Sequence, residues 1–113
     1  MTGQPFAQRA ATALDRLEAG IERAAERAGV DLEVARTDNV IEVEFDDGSR
    51  IVINSHEAAG EIWVAARSGG YHFKPLPDGR WCDTRSSSDL IASLSARLSD
   101  QAGVPIALDA VEL

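Results

Sequence analysis

Cysteine is nearly missing from this chain of 113 residues, and the single Cys82 has no internal partner for a disulfide. One thiol fits a reducing compartment, and beside Trp81 in an expected strand it reads as a buried, inert side chain. No apolar run approaches the roughly 20 residues that a membrane-spanning helix needs. The N-terminus lacks the basic-then-apolar order of a secretory signal, so a soluble protein of the cytoplasm is expected. Basic charge is in deficit too: 11 lysines and arginines face 19 acids, and a net charge of −8 argues against nucleic acid as a partner. There is no CxxC or HExxH motif, and no nucleophile stands at recognisable spacing from a base. His56 and His72 lack the spacing of a closed zinc site and read as lone surface histidines. Nothing in these residues demands an enzyme.

What is present is patterned. Phe6, Ala10, Ala13, Leu14, Leu17, Ile21, Ala24, Ala25 and Ala28 recur at helical spacing between Pro5 and Gly29, which predicts a first helix. Leu32 and Val34 alternate with Asp31, Glu33 and Ala35 as a short strand. Ile41, Val43 and Phe45 alternate with Glu42 and Glu44 as a second, and Asp46, Asp47 and Gly48 turn the chain into a third over Arg50 to Asn54. A loop, SHEAAG, follows. Glu61 to Phe73 then spells a hairpin turning at Ser68, Gly69 and Gly70, and Arg80 to Asp83 a last short strand. Ser86 to Ser88 offer caps for a second helix, with Asp89 where a capping box puts Glu. Its inner stripe is Leu90, Ile91, Leu94 and Leu98, and Gly103 is expected to end it. Residues 1–113 read as one domain, whose tail from Val104 either lies between the helices or stays loose. The expected fold is an α+β two-layer sandwich in α-β-β-β-β-β-β-α order, with two helices on one face of an antiparallel sheet and the other face in water.

The charge is unevenly placed. Residues 1–30 hold four acids and four arginines, residues 31–61 hold nine acids against Arg36 and Arg50, and residues 62–113 hold six acids against five bases. The first strands and the loop before Trp63 therefore carry most of the net charge. On the helix, Asp15, Glu18, Glu22 and Glu26 fall on one stripe while the arginines gather on the opposite flank. Only Arg23 and Glu26 have the spacing of helix neighbours, so local pairing leaves most of the stripe charged. With Asp31 and Glu33 on an adjoining edge strand these acids form a candidate ridge of oxygen ligands for a hard cation. An ordinary solvated helix face has the same composition.

In the Glu61 to Phe73 hairpin, Ile62 and Val64 point inward, so Trp63 points outward between Glu61 and Ala65. A bare tryptophan on a flat sheet marks a contact surface, with Asn54 and Val52 on the same face. The competing placement packs Trp63 under the 55–60 loop. Glu42 and Glu44 extend a negative field toward it, which favours a basic partner.

The order INS, IWVAA, SGGYHF, then Trp81 and Cys82, preceded by an acidic amphipathic helix, resembles the frataxins and most closely the bacterial ones. The resemblance spans roughly Phe6 to Gly103. It implies the sandwich fold, and it places Glu18, Glu22, Glu26, Asp31 and Glu33, with Asp15 as an extension, in an iron-binding ridge for Fe2+ or Fe3+. It also implies that Asn54 and Trp63 lie in a surface that meets a cysteine desulfurase, with the iron–sulfur scaffold protein as a possible third member. Glu42 and Glu44 join that surface by the charge pattern, and the chain is expected to be a monomer. The function so implied is that of a regulator or iron donor in iron–sulfur cluster assembly; the alternatives are a ferroxidase and a metal-independent adaptor. The chain departs from the family where Ser55 and His56 stand in place of a basic residue and a glutamine, and where Gly70 stands in place of the eukaryotic arginine. Its arginine-balanced helix implies weak iron binding.

Overall fold

Pro5 begins the first helix, α1, with φ −57° and no side-chain cap, and the helix runs over Phe6–Ala28. It stops at Gly29, whose φ of +72° is a left-handed turn that side chains disfavour. There Gly29 N–H donates to Glu26 O at 3.1 Å and Val30 N–H to Ala25 O at 3.0 Å, which satisfies the last carbonyls of the helix. The computed structural model describes residues 5–108 and 111–113.

Six strands follow: β1 (Glu33–Thr37), β2 (Val40–Glu44), β3 (Arg50–His56), β4 (Glu61–Ala66), β5 (Gly69–Pro75) and β6 (Trp81–Asp83). They form one antiparallel sheet in the order β1-β2-β3-β4-β5-β6, closed by a second helix, α2, over Leu90–Ala102. Each strand alternates as the sequence predicts. Ile41, Val43, Ile51, Ile53, Ile62, Val64 and Phe73 are buried on one face, where they join Leu14, Leu17 and Ile21 of α1 and Leu90, Leu94 and Leu98 of α2 in one core. Each such aliphatic side chain stabilises the fold by about 1.5–3 kcal/mol on burial. The opposite face of the sheet carries no helix, so both helices share one layer and leave Trp63 on the other.

Several boundaries move. Asp31 and Leu32 precede β1 instead of opening it, and β3 continues through Ser55 and His56. The β4–β5 turn is made by Arg67 and Ser68, with Ala66 opposite Gly69 in the register. The cap of α2 is Asp89 itself, whose carboxylate accepts from Ile91 N–H at 2.9 Å and Ala92 N–H at 3.4 Å, so Ser86 to Ser88 precede the helix without capping it. Beyond Gly103, Ile106 and Leu108 are buried, and the Ser99 and Ser95 hydroxyls accept from their N–H groups at 2.8 and 2.9 Å.

Candidate functional site

The antiparallel register sets the outer face of the sheet. Val40 lies opposite Asn54, Asn54 opposite Trp63, and Trp63 opposite His72, so the expected pair of Asn54 and Trp63 is brought together in one row crossing β2 to β5. Asn54 is half-buried, and its amide donates to Ser55 O at 3.4 Å. Trp63 is on this outward face, but it is not bare. The His56 ring stacks on the indole at 4.1 Å with 12° between planes, and the His72 ring at 4.4 Å with 10°. The indole N–H donates to Glu61 Oε1 at 2.7 Å. Strand β3 running two residues past Asn54 is what carries His56 into reach, and it realises part of the competing placement near the 55–60 loop. Spacing alone did not reveal the pair of histidines, because a cross-strand neighbour is defined only once the register is known.

The other partner-facing acids differ from each other. Glu42 is exposed and lies 3.9 Å from Arg50. Glu44 is half-buried and sits directly opposite Glu33 across β1 and β2. Like charges so placed repel. Together with Asp31 and Asp46 these two line a hollow of about 550 Å³ at the end of the first hairpin. Glu44 and Asp46 therefore join Asp31 and Glu33, and Glu42 stands apart from them.

The helix stripe is divided. Arg36 of β1 turns toward α1, and its guanidinium meets Asp15 at 2.9 Å and Glu18 at 3.2 Å. Spacing along the helix suggested that the stripe was unneutralised; a cation from the neighbouring strand neutralises its first half. Glu22 and Glu26 are exposed and make no ion pair among the described residues. The six carboxylates predicted as a ridge thus split into a paired couple, an open couple on α1, and Asp31 with Glu33 at the hairpin end.

The helix arginines serve the other flank. Arg9 donates to Leu76 O at 2.9 Å and lies over the Trp81 ring, while Arg16 donates to Glu112 O at 3.1 Å and Arg27 to Ala107 O at 3.3 Å. They hold the β5–β6 connection and the C-terminal segment, on the opposite flank from the acids. Among the described residues no group of three or more His, Cys, Asp and Glu is arranged to hold a metal ion, and no helix is long and apolar enough to cross a membrane.

Known proteins resemble this arrangement over nearly its whole length. The model of the frataxin-like domain matches residues 1–104. A relative from Cupriavidus metallidurans, the iron-sulfur cluster assembly protein CyaY, is 51% identical over 104 residues, which cover 91% of this chain and 92% of that protein. The solved frataxin of Psychromonas ingrahamii is similar in structure with a TM-score of 0.75 at 25% identity, covering 91% of this chain and 93% of the other. Trimeric yeast frataxin from Saccharomyces cerevisiae, solved in complex with ferrous iron, shares the fold with a TM-score of 0.72 at 23% identity, covering 91% and 89%.

Proposed function

The chain belongs to the frataxin-like family, and on that premise we propose that it serves iron–sulfur cluster assembly, docking on the cysteine desulfurase complex as a regulator or iron donor. The relative from Cupriavidus metallidurans carries that assembly role in its name. One observation carries the docking half of the reading: Trp63 stands on the helix-free face of the sheet, fixed in place, with Asn54 opposite it. A rigid indole is a favoured binding anchor, and the carboxylates Glu42 and Glu44 farther along the same face suit a basic partner surface. The scaffold protein is the natural third member of such a complex. The protein acts in the cytoplasm and as a monomer.

Iron enters this reading as cargo. Glu22, Glu26, Asp31 and Glu33 offer hard oxygen donors on an open surface, with no histidine or thiol among the described residues closing a cage around them. Such donors bind a hard cation loosely and release it readily. Asp15 and Glu18 contribute less, since Arg36 occupies them.

The test is a calorimetric titration of the desulfurase with wild type, Trp63→Ala and a combined Glu22→Gln, Glu26→Gln variant at two salt concentrations. Trp63→Ala is expected to weaken binding at least tenfold, the size of a hot-spot loss. Equal affinity for Trp63→Ala and wild type rejects the anchor. Ferrous titration followed by NMR is expected to move residues 22–33 first. Shifts spread evenly over all acids reduce the ridge to a charged surface.

A further inference from the structure

Both faces of the Trp63 ring are taken, by His56 from β3 and by His72 from β5, at centroid distances of 4.1 and 4.4 Å. The indole N–H is taken as well, by Glu61 Oε1 at 2.7 Å. The same oxygen lies 3.4 Å from His72 Nδ1, and the Glu61 side chain is only 13% exposed. His56 is fixed from its other side, because its Nδ1 accepts the Ala59 N–H at 3.2 Å. Every group that sets the orientation of the indole is thus held in turn by the backbone or by a shielded carboxylate. A partner has no ring face to stack on. What remains open is the rim of a slab made of three parallel rings on three adjacent strands.

We propose that His56, Glu61 and His72 are positioning residues of the docking surface, holding Trp63 edge-on so that the partner meets the rim of the His56–Trp63–His72 column. This rests on the docking reading above. Its physical content is preorganisation: a tryptophan free to change rotamer must be ordered on binding, whereas this one is ordered beforehand. The stacking itself is of the kind that stabilises aromatic pairs beyond their buried area. Along β5 the column is followed by Lys74, which pairs with Cys82 of β6, and Glu57 lies in the turn beyond His56, so the charged groups around the column are Glu61 at its centre with Glu57 and Lys74 at its margins.

The test separates the column from the docking. In the free protein, the Trp63 indole N–H resonance and its ring contacts to both imidazoles are followed by NMR; the only other tryptophan, Trp81, is buried and serves as the internal reference. His56→Ala, His72→Ala and Glu61→Ala are expected to shift that resonance and to weaken binding to the desulfurase roughly three- to tenfold, the equivalent of one side chain losing its preorganisation. His56→Phe and His72→Phe restore a stacked ring and are expected to return binding to near wild type, an outcome that a role in charge or metal binding does not give. Histidine-to-alanine variants at wild-type affinity, beside a weakened Trp63→Ala, overturn the inference and leave the docking reading standing. Trp63→Ala at wild-type affinity overturns both.

Discussion

Arg36 is the residue that most changes the acidic stripe, because it brings one cation to Asp15 at 2.9 Å and Glu18 at 3.2 Å from a different element. Removing it frees two carboxylates beside Glu22 on the same helix. Arg36→Gln is therefore expected to strengthen ferrous binding near residues 15–22, read by calorimetry, while lowering stability by about 0.5–1 kcal/mol in urea unfolding, since the pair is partly exposed. Tyr71 gives a second reading at this scale, as the chain's only tyrosine. Its hydroxyl bonds Ser68 Oγ at 2.9 Å and accepts from Arg97 at 2.6 Å, and these contacts hold its pKa below the ordinary value of about 10. The ionised form is thus favoured in the fold, so the contribution is absent at neutral pH, grows as pH rises through the folded pKa, and is complete above about pH 10. Absorbance titration is expected to give a midpoint below that of free tyrosine, and Arg97→Met to move it back up. The sequence pointed to Trp63, Asn54 and the acids as individual residues. Alternation also put His72 on the outer face with Trp63, whereas Arg36 and His56 stayed hidden because each acts across strands, where chain spacing carries no signal.

At the scale of elements the fold was legible wherever one face is buried. Alternation placed Ile41, Val43, Ile51, Ile53, Ile62 and Val64 on the core side of their strands, and all are buried. The ends were less legible, because polar residues such as Ser55 and His56 extend a strand through backbone pairing that side-chain pattern does not record. One close fit could not have been read at all. Gly20 sits buried in the middle of α1, where glycine costs about 1 kcal/mol relative to alanine. It is explained by Val111, whose side chain occupies the place that a Cβ on Gly20 would take. Gly20→Ala is accordingly expected to lower the thermal midpoint in spite of its better helix propensity. Combining it with Val111→Ala is expected to relieve the collision, so that the pair is less destabilised than the sum of the single changes. At the other helix, Asp89→Ala removes the cap on Ile91 and Ala92 and is expected to cost about 1 kcal/mol.

Across the whole molecule the charges are sorted by flank. Arg16 and Arg27 of α1 bind carbonyls of the C-terminal segment and Arg9 one of the β5–β6 connection, while Asp15 and Glu18 of α1 meet Arg36 of β1, and the acids continue into Asp31, Glu33, Glu44 and Asp46 at the hairpin end. A helix that is neutral by count is thus strongly polarised in space, and beyond it Glu33 and Glu44 carry negative charge onto the outer sheet face, the one that also holds Trp63. A field of that shape acts on encounter, while a packed anchor acts on dissociation. The two therefore separate kinetically. Raising salt from 50 to 300 mM is expected to slow association with the proposed desulfurase partner roughly tenfold or more, with little change in the dissociation rate, because exposed charges are screened within about 10 Å. Trp63→Ala is expected to do the reverse, raising the dissociation rate at either salt concentration and leaving association nearly unchanged. Stopped-flow traces of both proteins at both salt concentrations read the association and dissociation rate of each. A salt effect confined to dissociation removes the steering role of the acidic side, and a Trp63→Ala effect confined to association removes the anchor.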